Sequence, residues 1–288
     1  MSGRRTDLRG RSTADKRPTL VATCAGGLEP ALAGEIQQQG WSVVAQERGA
    51  VRFCPKMHTE LSELMARANL LLRTASRVLL PLVHGPVRSF DELYRLTRTA
   101  DWARLIPPSR SFSVTAISVN RKLSDHRFAA MRVKDAIVDA QRRATGRRSS
   151  VDRRTPDVPV VAHLSSEEAE ISLDTSGAPL HERGYRRESG PAPLRETLAA
   201  GLLLLSDWRP GTPLLDPFCG SGTIVIDAAL LAEGIPPSRS RERFAFLQWP
   251  DGDRKAFAKI RSSLMSQARG DDDAVILDFI QTLDSASV

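Results

Sequence analysis

Residues 214–223 read LLDPFCGSGT and run directly into the apolar stretch Ile224-Val225-Ile226. Two leucines before an aspartate predict the end of a buried strand, and the apolar stretch after the turn predicts a helix. Gly220 and Gly222 let the backbone approach a ligand and adopt dihedral angles that a Cβ would forbid. The segment therefore predicts a strand, a turn and a helix, with Asp216 at the strand's carboxyl end, where open α/β sheets bind ligands.

Three ligands suit a turn of this shape, and its residue types separate them. A phosphate-binding loop requires a Gly-Lys-Ser/Thr sequence, and the turn contains no lysine. A dinucleotide fingerprint requires a third glycine where Val225 stands. S-adenosylmethionine needs an acid for its cationic amino group and glycines beside its carboxylate and ribose, and the free N–H groups from Thr223 onward suit the carboxylate. An ordinary β–α turn would not require Asp-Pro together with two spaced glycines, so the sequence favours S-adenosylmethionine.

Positive charge is concentrated in one part of the chain. Residues 121–154 contain eleven Lys/Arg and four acids, an excess of seven that equals the net charge of all 288 residues. Such a field indicates a polyanionic partner, although a run of charge also occurs on an ordinary solvated face.

Several classes of protein are disfavoured by composition. The three cysteines, Cys24, Cys54 and Cys219, have no CxxC spacing, which argues against a zinc site or a disulfide framework and suits a reducing cytosol. No window of about 18 apolar residues predicts a membrane span. Residues 1–19 are basic and polar without the apolar stretch of a secretory signal, so we interpret them as a disordered arm of a cytoplasmic protein.

The chain before the quoted turn predicts two small α+β units. The first is rich in strands and covers LVATC, WSVVAQ and AVRFC. The second begins at Ser89, which with Glu92 has the form of a capping box. It continues with the amphipathic helix FAAMRVKDAIVDAQRRATG and the hairpin VPVVAHLSSEEAEISLDTSG. From His181 an apolar helix and the strand-turn-helix segment predict a third domain with a parallel sheet.

Three segments together resemble a known family: DPFCGSGT, the preceding PLRETLAAGLLLLSDWRPGTP, and LHERGYRRESGPAP before that. They are similar to the THUMP-containing class I RNA methyltransferases, and most of all to the branch that methylates guanine N2 in bacterial 23S rRNA. The resemblance extends over about residues 20–270.

The resemblance implies both a fold and a function. After the arm at 1–19, it implies α+β modules, a ferredoxin-like module at 20–70 and a THUMP domain at 71–178, followed by the start of a Rossmann-like α/β methyltransferase domain at 179–288. It further implies S-adenosylmethionine as cofactor, structured RNA of the large ribosomal subunit as partner, and no metal or membrane.

Site residues follow from the resemblance position by position. The implied cofactor residues are Asp216, Phe218, Gly220, Ser221, Gly222 and Thr223 in the loop, and Pro193, Arg195, Glu196 and Thr197 in the segment before it. Residues facing RNA are chosen by charge alone, without a motif: Arg121, Lys122, Arg132 and Lys134.

The chain departs from the family in one motif. Members that methylate an exocyclic amine carry an Asn/Asp-Pro-Pro-Tyr/Phe loop, whereas the two Pro-Pro pairs here both lie in Ile-Pro-Pro-Ser. The residues after 179 are also few for a complete methyltransferase sheet, although AVIL followed by Asp278 suggests one further strand. We therefore expect an incomplete methyltransferase domain without its catalytic loop, and a fragment boundary or a frameshifted end beginning near residue 270.

Overall fold

A computed structural model describes residues 17–119, 122–185, 194–206 and 208–268. The first unit alternates strands and helices as the sequence predicts. Its elements are β1 (Leu20–Thr23), α1 (Glu29–Gln38), β2 (Trp41–Glu47), β3 (Ala50–Pro55) and α2 (Leu61–Leu71). Inside this unit Trp41 stacks on Phe53 with ring centroids 5.3 Å apart, and both rings are buried.

The second unit contains the predicted helices and hairpin. Its elements are β4 (Arg77–Pro86), α3 (Phe90–Thr97), α4 (Trp102–Leu105), β5 (Phe112–Ser118), α5 (His126–Thr145), β6 (Val158–Leu164) and β7 (Glu168–Asp174). The Ser89 hydroxyl accepts from the Glu92 N–H at 3.2 Å, which confirms the predicted cap of α3. Strands β6 and β7 pair antiparallel, which confirms the hairpin.

A single seven-stranded sheet joins the two units. The strand order is β2-β3-β1-β4-β7-β6-β5, and every neighbouring pair is antiparallel except β5 and β6. Strand β4 lies at the junction, since it pairs with β1 on one side and β7 on the other. The units predicted to stand side by side therefore share one continuous backbone ladder.

One face of this sheet forms the core. Successive strand residues point to opposite faces, and those on one side are buried beneath the helices of both units. The strand residues of this core include Leu20, Val51, Phe53, Val78, Leu80, Phe112, Val160, Ile171 and Leu173.

The third part of the chain is helical. Its elements are α6 (Glu196–Leu205), α7 (Thr223–Ala232), a 3₁₀ turn (Ala245–Gln248) and α8 (Arg254–Met265). Among the described residues no strand follows β7. The prediction that a buried strand ends at Leu214-Leu215 is therefore wrong, and the two side chains are 37% and 86% exposed. A strand requires a neighbouring backbone to pair with, and this segment has none within the described ranges.

The third part nevertheless returns to the sheet. Phe244, Phe246 and Phe257 form a cluster with ring centroids 5.5 to 5.9 Å apart, and this cluster belongs to the same core as the sheet. Helix α8 packs against α2. The chain beyond β7 is thus anchored to the first unit by aromatic burial.

Within the described ranges no helix is both long enough and apolar enough to cross a membrane. The further strand suggested at AVIL with Asp278 lies outside the described residues.

Candidate cofactor site

The loop between Asp216 and Thr223 is a tight turn built by its own backbone. The Phe218 N–H donates to Asp216 Oδ1 at 3.2 Å, and the Gly222 N–H donates to the Cys219 carbonyl at 2.8 Å. Gly220 and Gly222 have φ of +56° and +71°. Residues with a side chain rarely adopt these left-handed backbone dihedral angles, so the turn requires glycine at both positions.

Helix α7 begins immediately after this turn. Gly222 is its N-cap residue, and among the described residues no side chain caps the helix there. The first N–H groups of a helix have no partner within the helix, and the helix dipole makes this end favourable for anions. The Ser221 and Thr223 hydroxyls lie 3.3 Å apart at the same end. The loop thus presents N–H and O–H donors beside the Asp216 carboxylate.

The segment before the loop lies against the same helix. Helices α6 and α7 pack together. Glu196 and Thr197 are buried in the first turn of α6, and Arg195 is exposed at its N-cap. Pro193 lies outside the described residues.

A buried ionic cluster, which the sequence analysis missed, holds α7 in place. Arg183 is paired with Asp227 in the middle of α7, and both side chains are 1% exposed. Arg183 Nη2 also donates to the carbonyls of Arg73 at 2.9 Å and Glu196 at 3.3 Å. One guanidinium therefore connects α7, the start of α6 and the end of the first unit. A lone aspartate inside the apolar run TIVIDAALLA was the signal that such a partner exists.

Arg73 extends this cluster to the far end of α7. Its Nη2 donates to the carbonyls of Leu230, at 3.2 Å, and Ile235. A cation at a helix carboxyl end is favoured by the helix dipole. The Arg73 N–H in turn donates to the Glu35 carboxylate of α1 at 2.7 Å. The chain Glu35–Arg73–Arg183–Asp227 is the buried ionic joint between the first unit and the cofactor helix.

Burial shifts the pKa values of Asp227, Glu35 and Arg73 in this joint. Desolvation raises the pKa of Asp227, although Arg183 and Arg73 oppose it. Desolvation also raises the pKa of Glu35, against hydrogen bonds from Thr74 and the Arg73 backbone. The pKa of Arg73 is lowered to about 10, first by burial and then by repulsion from Arg183.

Large apolar side chains are exposed in the loop, just before it and on α6. Phe218 is 94% exposed, and three leucines of α6 are 37 to 52% exposed. We call this set the uncovered apolar surface; its members are Leu198, Leu202, Leu205, Leu214, Leu215 and Phe218. Exposed apolar surface of this kind occurs where a ligand or another polypeptide binds.

The basic patch predicted for RNA is partly neutralised. Arg132 Nη2 lies 2.7 Å from Asp91 Oδ1, and its guanidinium sits 4.8 Å from the centre of the Tyr94 ring. Lys134 Nζ lies 2.7 Å from Asp135 Oδ1. Lys122 is described, whereas Arg121 lies outside the described residues. Two of the four residues selected by charge thus already have intramolecular partners.

The residues of the loop fit S-adenosylmethionine on one side. The Asp216 carboxylate is complementary to a cationic amino group, and the uncapped start of α7 to a carboxylate. Nothing lies within 4 Å of the Cβ position of Gly220, so this glycine leaves open space for a ligand. Within the described residues no group of three His, Cys, Asp or Glu side chains is placed to hold a metal.

Three family models match successive parts of the chain. The RlmL ferredoxin-like domain matches residues 19–79, the THUMP domain matches residues 87–174, and the RMKL-like methyltransferase domain matches residues 183–283.

Solved structures agree with this order of domains. A protein described as a possible methylase from Clostridium difficile 630 has a TM-score of 0.78 at 32% identity, with 89% of this chain and 66% of that chain covered. A protein described as a predicted N6-adenine-specific DNA methylase from Listeria monocytogenes has a TM-score of 0.78 at 34% identity, with 90% and 68% covered. SMU.472, a protein described as a putative methyltransferase complexed with SAH, has a TM-score of 0.76 at 34% identity, with 90% of this chain and 66% of that chain covered. The chain thus spans about two thirds of the length of these relatives.

Proposed function

Because this chain belongs to the THUMP-containing class I methyltransferases, we propose that it is the RNA-docking and cofactor-binding portion of an S-adenosylmethionine-dependent rRNA methyltransferase. The target is a guanine N2 of large-subunit rRNA. The ferredoxin-like module (20–70) and THUMP domain (71–178) dock the RNA, and the methyltransferase portion (179–288) holds the methyl donor. Three free cysteines suit a reducing compartment, which supports a cytoplasmic location.

The observation that carries this proposal is the loop of Asp216 and its two left-handed glycines ahead of the uncapped helix α7. Asp216 binds the cationic amino group of the donor, and the N–H groups of Thr223 and its neighbours bind the carboxylate. Phe218, Gly220, Ser221 and Gly222 line the path of the cofactor. The segment Pro193, Arg195, Glu196 and Thr197 closes over the methionine end. The cofactor supplies an electrophilic methyl group, and the chain's own residues only bind and orient it.

RNA is the favoured substrate because a THUMP match precedes the cofactor loop. The name of the Listeria relative offers DNA adenine methylation as a competing activity. That activity would leave the ferredoxin-like and THUMP portions, more than half of the chain, without a role. The choice of guanine N2 in 23S rRNA as the target is supported by the matches of the first domain to the RlmL ferredoxin-like domain and of the third to the RMKL-like methyltransferase domain.

We also propose that residues 1–288 alone do not transfer methyl groups. Methylation of an exocyclic amine requires side-chain and backbone oxygens that hold the amino group in line with the donor. The Asn/Asp-Pro-Pro-Tyr/Phe loop that supplies them is absent from the sequence. The uncovered apolar surface around the loop supports this view, since a complete pocket would bury Leu215 and Phe218.

A second candidate is an RNA-binding THUMP protein without catalysis or cofactor. The high exposure of Leu215 and Phe218 favours it, because a loop without a supporting strand is held less firmly in a binding geometry. Calorimetric titration of the full chain with S-adenosylmethionine separates the two. We expect saturable binding, and at least a tenfold loss of affinity in Asp216→Ala because a charge-assisted contact disappears. The matched control Asp251→Ala removes an exposed acid outside the loop and should bind like the wild type. No binding by the wild type would leave the RNA-binding candidate.

Thiol labelling provides an independent readout of the same loop. Cys219 is only partly buried within it, whereas Cys54 is buried. Burial raises the pKa of Cys24 to about 12, with Glu29 and Glu35 adding to the shift, so this thiol stays protonated at pH 8 and reacts slowly. A maleimide should therefore label Cys219 first, and S-adenosylmethionine should slow that reaction. Labelling of Cys219 at an unchanged rate with saturating cofactor would contradict the assignment of the loop.

A further inference from the structure

The face of the sheet opposite the core carries polar and charged side chains from several strands, interspersed with apolar ones such as Val21, Leu79 and Ile117. Strand residues that alternate with the core positions line it, and the neighbours of buried Leu20, Val51 and Val78 are examples. All seven strands contribute to this open face. With strands about 4.8 Å apart, six intervals make the face roughly 29 Å wide.

The centre of the open face consists of paired charges and hydroxyl groups. Arg52 Nη2 lies 2.7 Å from Glu170 Oε2, and Arg77 is paired with Asp174. His84 Nε2 lies 3.1 Å from Glu168 Oε2. Hydroxyl groups of Thr23 on β1 and of Ser113 and Thr115 on the edge strand β5 also line this face. The floor therefore offers donors and acceptors with little net charge.

Four arginines at the margin of this face differ from those of the floor. Arg48 lies in the turn between β2 and β3, Arg153 and Arg154 in the loop before β6, and Arg243 before the 3₁₀ turn. All four are exposed. Arg48 and Arg154 lie near Glu29 and Asp152, and their charges help to lower the pKa of these carboxyl groups. We call the four residues the rim arginines. Because they come from three separate loops, they place exposed positive charge at several points around the floor.

The floor and rim enclose a trough of about 1070 Å³. This volume lies at the upper end of the roughly 300–1,000 Å³ of pockets for small molecules, and the lining residues are spread over all seven strands of the sheet. Its ligand should thus be an extended chain with anionic groups for the rim and hydroxyl donors for the floor carboxylates. RNA has both, since 2′-hydroxyl groups alternate with phosphates along its backbone. An acidic peptide offers anionic groups and backbone N–H donors, but no hydroxyl group in each repeating unit.

We propose that the open face of the seven-stranded sheet, with its rim arginines, is the channel that binds an RNA backbone, in place of the helical patch around Arg132 and Lys134. This deepens the proposed function and rests on it for the class of partner. Phosphates bind the rim guanidiniums, and the floor hydroxyl and carboxylate groups receive the 2′-hydroxyl groups. Such contacts set affinity and register along the RNA.

The test uses the full chain and a fluorescein-labelled RNA hairpin with a single-stranded flank, measured by anisotropy between 50 and 200 mM salt. We expect Arg153→Gln/Arg154→Gln to weaken binding about tenfold and to reduce the slope of log affinity against log salt by about 1.4, since two phosphate contacts disappear. Arg48→Gln and Arg243→Gln should each reduce the slope by about 0.7. The matched control Arg132→Gln/Lys134→Gln should change the affinity less than twofold. The substituted rim positions are exposed, and thermal melting checks that the variants remain folded.

Each outcome bears on a different claim. If all rim variants kept the wild-type salt dependence of RNA affinity and the Arg132→Gln/Lys134→Gln control bound RNA weakly, the trough would not be the RNA-binding site. The helical patch around Arg132 and Lys134 would then be the site. Equal affinity for polyglutamate and for RNA would replace RNA by an acidic protein partner, and equal affinity for the matched DNA hairpin would remove the 2′-hydroxyl contacts. If the wild type bound no RNA at all, the proposed function itself would fail along with the trough.

Discussion

Two apolar pairs in this chain, Leu20-Val21 and Leu214-Leu215, both precede turns that contain glycine. The first pair is buried in a strand, whereas the second is exposed and outside any strand. Leu20 and Val21 are 0% and 7% exposed in β1, which pairs with β3 on one side and β4 on the other. Leu214 and Leu215 are 37% and 86% exposed, and no strand pairs with them among the described residues. An apolar run thus becomes a strand only where neighbouring backbones take up its hydrogen bonds. The sheet region (20–174) is supported in this way, and the cofactor region (194–268) is supported by helices and aromatic rings.

The largest contrast is expected from the same substitution in both regions. Phe53→Ala removes a fully buried ring stacked on Trp41 and should lower the free energy of unfolding by about 3–5 kcal/mol. Phe218→Ala removes a ring that is 94% exposed and should change it by less than about 0.5 kcal/mol. Urea denaturation followed by circular dichroism measures both. If Phe218→Ala lowered the free energy of unfolding by several kcal/mol, the Phe218 ring would have to be covered in solution. The contrast between a buried sheet region and an exposed loop would then be wrong.

The second-largest effect is expected at the buried ionic joint, which tests whether the sheet region and the cofactor region unfold together. Asp227→Ala leaves Arg183 buried without its ion-pair partner and should cost about 3–5 kcal/mol. Because Arg183 also contacts Arg73 and Glu196, we expect the sheet and cofactor regions to lose stability together in one transition. The exposed Glu242→Ala serves as control. Two separate transitions in differential scanning calorimetry would show that the cofactor region unfolds independently of the sheet.

A smaller effect is expected at the cap of α3. Ser89→Ala deletes the hydroxyl that accepts from the Glu92 N–H and should lower stability by about 1 kcal/mol. Ser109→Ala, at an exposed position after Pro108, is the matched control with no expected change. Among the described residues, helix α7 of the cofactor region has no side-chain cap. We therefore expect a stability that depends on a capping side chain for α3 in the sheet region and not for α7. Equal stabilities of the two serine variants would contradict it.

The smallest effect concerns pH. Burial holds the pKa of Glu35 above its usual value, so the folded protein retains a proton that the unfolded chain releases first. The contribution of Glu35 to stability is therefore present below the usual pKa of about 4.3 and declines as pH rises toward the folded pKa. The unfolding free energy of the wild type minus that of Glu35→Gln should fall with pH across this window. Denaturation at half-unit steps from pH 4 to 7 measures the difference. A difference that rises with pH would mean that the hydrogen bonds from Thr74 and Arg73 outweigh desolvation.

Local patterns proved sufficient for the sheet region. The capping box at Ser89, the long amphipathic helix that became α5 and the hairpin of β6 and β7 were all predicted from sequence. Each depends on residues close together in the chain. The role of β4 as the strand that joins both units was not predicted, because its pairing with β1 and β7 involves residues far apart in sequence.

The candidate site divides in the same way. The need for glycine at 220 and 222 was evident from the sequence, because a tight turn is a local property. The basic stretch 121–154 included Arg153 and Arg154, but the sequence did not link them to Arg48 and Arg243, because these residues belong to three distant loops and only the sheet brings them to one trough. Charge density instead favoured Arg132 and Lys134, two residues that the fold pairs with Asp91 and Asp135.

The sequence by itself determined the chemistry of the loop from Asp216 to Thr223, the order of the domains and most helices, because these follow from residue type and short-range periodicity. Only the tertiary structure decided three further features: the fusion of two units through β4, the exposure of Leu214-Leu215, and the pairing of Arg183 with Asp227, 44 residues apart. A strand without a neighbour and a buried charge without a partner are both costly. The partners that remove this cost lie far along the chain, so only the folded protein identifies them.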